Sequence, residues 1–123
     1  MEPDLQEWRY GDYEGRRSAD IEQERPGWNL FRDGCPNGET PRQVSARADR
    51  LIARLCTLDG NVALFSHGHF GCALAARWIG LPVIEGQHFL LGTASLSIFG
   101  YEPSHPQVPV IESWNTASGI IYK

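Results

Sequence analysis

A chain of 123 residues, 41% hydrophobic and 21% charged, has the make-up of one globular domain at most. Its formal net charge of -4 argues against nucleic acid as the main partner, which would favour a basic face, but not against an anionic small molecule in a locally positive pocket. No apolar run is long enough to span a bilayer and no basic-then-apolar leader opens the sequence, so no membrane partner is expected. The three cysteines, Cys35, Cys56 and Cys72, are an odd number without metal-ligand spacing. They suit a reducing, cytoplasmic setting, with Cys56 and Cys72 expected in the core.

The opening stretch Leu5 to Gly15 combines three aromatics with acids, amides and glycines. It is too aromatic for a disordered tail and has no clean period, so it reads as a packed surface loop of the kind that carries binding residues. A domain starting on such a loop reads as one that lacks its beginning. Arg16 to Glu24 suggests a short surface helix, broken by Pro26-Gly27. Trp28, Leu30 and Phe31 form an apolar knot before the turn-rich Asp33 to Gly38.

Thr40-Pro41-Arg42-Gln43 predicts a helix start: Thr caps, Pro suits the first helical position, and Gln three residues after the cap completes a capping box. Val44, Ala48, Leu51, Ile52 and Leu55 follow at helical spacing. Arg42, Arg47, Asp49, Arg50 and Arg54 read mostly as a solvated face.

Val62 to Phe65 is a short apolar run with no polar position to face water, as in a buried strand. It ends in Ser66-His67-Gly68, and Phe70, Leu74 and Trp78 then recur at helical spacing up to Gly80, where Leu81-Pro82 ends the helix. Val83 to Leu91 is a connector. Thr93 to Tyr101 alternates as a strand, with Ala94, Leu96 and Ile98 on one face and Ser95, Ser97 and Phe99 on the other. Val108 to Trp114 is a further strand, with Pro109 pointing to an edge or an irregular start.

The strand-turn-helix around His67 carries the chemistry. Ligands of α/β sheets sit beyond the carboxyl ends of strands, and a helix N-terminus there offers free N–H groups to an anion. His67 stands where an imidazole can meet a phosphate. A histidine in such a turn can equally cap the helix or bond a carbonyl. A metal held by His67 and His69 is the weaker reading, because no Cys or carboxylate lies nearby at ligand spacing; neither metal nor cofactor is expected.

Three stretches taken in order, Glu7-Trp-Arg-Tyr-Gly-Asp-Tyr-Glu-Gly15, Trp28 to Thr40, and Phe65-Ser-His-Gly-His69, resemble the histidine phosphatase superfamily, the phosphoglycerate mutase-like proteins, and within it the sedoheptulose-1,7-bisphosphatase type. The likeness runs from Leu5 to Asn115. It implies a three-layer α/β/α fold with a mostly parallel sheet, and phosphoryl transfer from phosphate monoesters, sugar bisphosphates included, through a phosphohistidine. Glu7 then matches the general acid and His67 the second, phosphate-binding histidine, with Tyr10, Gly68 and His69 at the substrate. A leaving alkoxide needs a proton at neutral pH, and a carboxyl group can supply it. Charge on the moving phosphoryl group needs fixed donors, which imidazole and helix N–H groups provide.

The departure is as informative. The family's nucleophile sits in an Arg-His-Gly motif on a first strand, and this sequence contains no Arg-His pair. Residues 1–123 therefore read as the C-terminal part of that domain, lacking the first strand, the nucleophile and the clamp arginines. The expected partner is a phosphorylated small molecule or inorganic phosphate, and the strand at Val62, left with an open edge, is expected to recruit a second copy of the chain. The rival reading is a non-catalytic module that binds a phosphate ester or a protein through the same pocket.

Overall fold

The computed structural model of the chain describes residues 3–57, 62–66, 68–92 and 95–116, the segment 62–66 by its backbone. In chain order these form α1 (Ser18–Glu24), α2 (Leu30–Asp33), α3 (Pro41–Leu55), β1 (Val62–Ser66), α4 (His69–Trp78), β2 (Ser95–Glu102) and β3 (His105–Thr116). One-turn 3-10 helices stand at Pro3–Leu5 and Gly11–Tyr13, and a longer one at Val83–His88.

Helix α3 starts as its sequence dictates. Thr40 Oγ1 accepts from the Gln43 N–H at 3.1 Å, and Gln43 Oε1 accepts from the Thr40 N–H at 2.9 Å, with Pro41 in the first turn. Val44, Ala48 and Leu51 are buried, as their spacing requires. One member of the expected solvated face is not on it: Arg47 is 2% exposed, because a buried carboxylate and a set of backbone carbonyls take up its guanidinium.

Helix α4 is buried almost all round from Phe70 to Ala76. It packs on α3, where Arg77 Nε donates to Asp49 Oδ1 at 2.8 Å. It meets the sheet through Trp78, whose indole N–H lies 3.2 Å from Gly100 O and 3.0 Å from Val110 O and whose ring stacks on Phe99. The helix ends at the glycine expected. Leu81 N–H donates to Ala76 O at 2.8 Å and Gly80 N–H to Arg77 O at 3.1 Å, with Gly80 at φ +82°. This double closure satisfies the last carbonyls and needs a left-handed residue at position 80.

The sheet order is β1-β2-β3. The α/β class of the phosphoglycerate mutase-like fold stands, but both ladders among the described residues are antiparallel rather than parallel. Val62 lies opposite Phe99 and Ser66 opposite Ser95, and β2 returns into β3. The two residues between β2 and β3 can join only antiparallel neighbours. Pro109 lies opposite Tyr101 on β3, an edge strand with three register breaks, as a proline in a sheet demands. In β2 the serine face is the buried one: Ser95, Ser97 and Phe99 are 1–3% exposed, while Leu96 and Ile98 are half-buried. The burial of the Val62–Phe65 side chains lies outside the described residues.

Three local expectations are revised. The apolar knot at Trp28 contains a one-turn helix, α2, started by Asn29 Oδ1 accepting from the Phe31 N–H at 2.9 Å. The connector after α4 is partly helical, Val83–His88, with Gly86 pressed against the Phe31 ring. Cys72 is in the core, but Cys56 is exposed at the end of α3, its Sγ 3.0 Å from the Tyr101 hydroxyl.

Gly80→Ala leaves room for the added methyl but forces it into a left-handed backbone. The variant is expected to lose about 1–2 kcal/mol in urea denaturation with an unchanged slope.

Candidate functional site

The segment Leu5 to Tyr10 has little regular structure of its own, so side chains must fix it. Trp8 is its anchor, 1% exposed, with its indole N–H donating to Glu39 O at 3.0 Å and its ring edge-on to Phe31. Glu39, itself buried, then ties the neighbouring backbone: its Oε1 accepts from the Arg9 N–H at 2.9 Å, and its own N–H donates to Arg9 O at 2.8 Å.

A carboxylate this far from water needs a counter-charge. Arg47 supplies it through Nε to Glu39 Oε2 at 3.0 Å and Nη2 to Glu39 Oε1 at 2.8 Å, a two-pronged pair. The remaining N–H groups of Arg47 go to main-chain carbonyls, Nη1 to Asp4 O at 2.9 Å and Gln6 O at 2.6 Å, and Nη2 to Glu7 O at 3.4 Å. Its Cζ also lies 4.0 Å from the centre of the Phe70 ring. One side chain from α3 thus grips the segment before Glu7 and the first turn of α4.

Between these holds, the Glu7 carboxylate reaches the start of α4. Oε1 accepts from the Trp8 N–H and the Phe70 N–H, both at 2.7 Å, and Oε2 accepts from the His69 N–H at 2.9 Å. An anion here meets unpaired helix N–H groups and the positive end of the helix dipole. Gly68 precedes the helix at φ +108°, and a Cβ there would fall on Glu7 Oε2. The position therefore excludes side chains on both counts.

The Tyr10 hydroxyl lies 2.7 Å from His69 Nδ1, with the rings edge-on. Burial, and next the Glu7 charge, raise the phenol above its ordinary 10.0, so it keeps its proton. Burial, only partly opposed by Glu7, lowers His69 below its ordinary 6.5. At neutral pH the ring is uncharged. Of the residues singled out in the sequence, the structure gathers Glu7, Tyr10, Gly68 and His69 at one helix end. His67 lies outside the described residues.

Residues 1–116 match the model of the histidine phosphatase superfamily, branch 1. The chain belongs to the histidine phosphatase superfamily. It is 42% identical over 109 residues to an acid phosphatase of Mycobacterium tuberculosis, covering 87% of this chain and 54% of that protein. It is 42% identical over 101 residues to the sedoheptulose 1,7-bisphosphatase of Saccharomyces cerevisiae, covering 68% of this chain and 37% of that one. A solved structure from Mycobacterium tuberculosis superposes with a TM-score of 0.82 at 35% identity, over 94% of this chain and 60% of that one. This histidine phosphatase chain thus spans about half the length of the curated relatives it matches.

Two residues of the site, Glu39 and Arg47, were not singled out as functional from the sequence. The signal was there: position 47 falls three after Val44 and four before Leu51, inside the apolar arc of α3. An arginine on that arc needs a buried acid, and Glu39 just before the helix is within reach.

Arg47→Met, which strands the Glu39 carboxylate, is expected to cost about 3–5 kcal/mol in chemical denaturation. Adding Glu39→Leu should restore much of it, because the pair is then removed as a unit. In an NMR titration the His69 ring is expected to show a midpoint below 6.5.

Proposed function

We propose that this chain is the acid-and-cradle part of a histidine phosphatase site acting on phosphate monoesters. Glu7 protonates the leaving ester oxygen. His67, Gly68 and the N–H groups of His69 and Phe70 receive the phosphoryl oxygens. Tyr10 and His69 border the entering ester. The observation that carries the reading is the Glu7 carboxylate held on the first N–H groups of α4 by residues 62 and 63 positions further along the chain. A carboxylate bound there supports the reading of this helix end as an oxyanion cradle. An entering phosphoryl group competes for the same donors, and repulsion between the two anions is relieved once the carboxyl carries the proton it is to deliver. Sugar bisphosphates are among the expected esters, as the name of the Saccharomyces cerevisiae relative suggests.

The sequence contains no Arg-His pair to serve as nucleophile and clamp. Residues 1–123 alone are therefore expected to bind phosphate without turning esters over. Hydrolysis of sugar bisphosphates and aryl phosphates should match a His67→Ala control, and a robust turnover lost in that control would refute the reading. Inorganic phosphate should shift the His69 and Phe70 amide signals at about millimolar concentration. No shift at high phosphate would count against the cradle.

The proposed partner besides the ester is a second copy of the chain. Strand β1 pairs with β2 on one side and has no strand on its other edge among the described residues. Open N–H and C=O rows of that kind recruit another strand. Light scattering at micromolar concentration is expected to give a dimer or larger species; a monodisperse 13.8 kDa particle would contradict it. No described helix is long and apolar enough to cross a membrane. The three cysteines are free thiols, as a reducing cytoplasm would keep them.

A further inference from the structure

A cavity of about 400 Å³ opens between Arg9, the Asn37-Gly38 turn and one side of α3 from Gln43 to Arg50. Among the described residues, neither Glu7 and Tyr10 nor any part of α4 lines it, so it is a place apart from the phosphoryl cradle. The buried Arg47–Glu39 pair forms its floor.

The polar groups of the wall divide into those already used and those left over. The Glu39 carboxylate is neutralised: both oxygens hold Arg47 and one also holds the Arg9 N–H. The Asn37 amide N–H is spent on Asp12 Oδ2 at 2.9 Å, and the Gln43 amide oxygen on the Thr40 N–H at 2.9 Å. What is left is nearly all donor. Among the described residues every arginine except Arg9 and Arg42 holds a carboxylate or a tyrosine hydroxyl. The Arg9 guanidinium therefore brings its whole set of N–H groups to the cavity unspent. Arg50 gives one N–H to Asp4 Oδ1 at a long 3.3 Å, and that carboxylate is shared with Arg54 at 2.8 Å. The Gln43 NH₂ donates to nothing described. Against these donors the wall sets one unused side-chain acceptor, the Asn37 amide oxygen. Arg42 stands in the adjoining first turn of α3, which carries no acid, so the surroundings are positive on a chain of net charge -4.

Unspent guanidinium and amide N–H groups recognise an oxyanion, because charge-assisted bonds are about twice as strong as neutral ones and the arginine fork matches two phosphoryl oxygens. The length of the array says which oxyanion. Gln43 and Arg50 are seven residues apart on α3, two turns and about 10 Å along its axis. A single tetrahedral ion cannot touch both ends. A linear anion of linked phosphoryl groups can lie along α3 with an oxygen for each donor.

We infer that this cavity binds a linear oligophosphate, a triphosphate chain being long enough to span it, at a site separate from the one that receives the ester. The recognised chemistry is the chain of linked phosphoryl groups, free or as the tail of a nucleoside triphosphate.

The test is calorimetric and NMR titration of the full 123-residue chain with inorganic tripolyphosphate, adenosine triphosphate and orthophosphate. Salt at about 0.15 M screens long-range charge attraction. The Gln43 side-chain amide and the Ala46 N–H report on this cavity, and the His69 and Phe70 N–H signals on the α4 end. Tripolyphosphate is expected to bind about tenfold more tightly than orthophosphate and to move the Gln43 and Ala46 signals. Arg9→Gln removes a side chain that holds nothing in the fold and should weaken tripolyphosphate about tenfold. Arg50→Gln, which leaves Asp4 to Arg54, should do likewise. Arg17→Gln, an exposed arginine outside the cavity, should leave the affinity unchanged. Adenosine triphosphate matching tripolyphosphate would support the site as one for either source of the chain, and its exclusion would support the free anion. Equal losses in Arg9→Gln and Arg17→Gln would show diffuse attraction and overturn the site. Tripolyphosphate no tighter than orthophosphate would overturn it too. Shifts confined to His69 and Phe70 would place the anion on the α4 end, overturning this inference while leaving the cradle standing.

Discussion

The site depends on one buried charge pair. Arg47 enters the interior from α3 with a charge it cannot lose, and burial is tolerable only where every N–H finds an acceptor. Glu39 supplies the counter-charge, and the carbonyls of Asp4, Gln6 and Glu7 supply the rest. Those carbonyls belong to the segment that carries the acid, so pairing the charge and placing Glu7 are a single event. A hydrophobic residue at position 47 could fill the volume but could not hold an irregular segment by its main chain. The pair's contribution lies in geometry more than in stability, since a buried ion pair is often no better than an apolar replacement of equal size.

A second consequence is that the helix end is occupied from within. The N-terminus of α4 has unpaired N–H groups and a positive dipole end, and Glu7 satisfies both. Gly68 makes this possible by leaving no Cβ between the carboxylate and the backbone. An oxyanion from solution thus meets a competitor held by the fold itself.

Membership of the histidine phosphatase superfamily accounts for the order of the three motifs along the chain, but each motif has a local physical task. The aromatic segment buries Trp8 and Tyr13, which fixes the acid. The Gly38-Glu39-Thr40 turn delivers a buried carboxylate and then a helix cap within two residues. The turn before α4 delivers the N–H groups.

The sequence by itself determined what depends on near neighbours. The capping box at Thr40, the apolar stripe of α3, the stop of α4 at Gly80 and the two late strands were all legible, because cap chemistry, side-chain period and a left-handed glycine act over a few residues. The ordered motifs likewise pointed to Glu7, Tyr10, His67, Gly68 and His69, of which the structure brings the four described ones to one helix end. Only the tertiary structure decided that Arg47 faces inward, that the serine face of β2 is the buried one, that the described strands pair antiparallel, and that Cys56 stays outside. Each of these turns on a partner distant in sequence. Arg47 is read as solvated until Glu39 and the Asp4–Glu7 carbonyls fold over it. The burial of Ser97 depends on β3, where the Asn115 N–H donates to its hydroxyl at 3.1 Å. Periodicity reports which residues share a face, but the free energy of burying a charge or a hydroxyl is set by acceptors and donors that other segments bring.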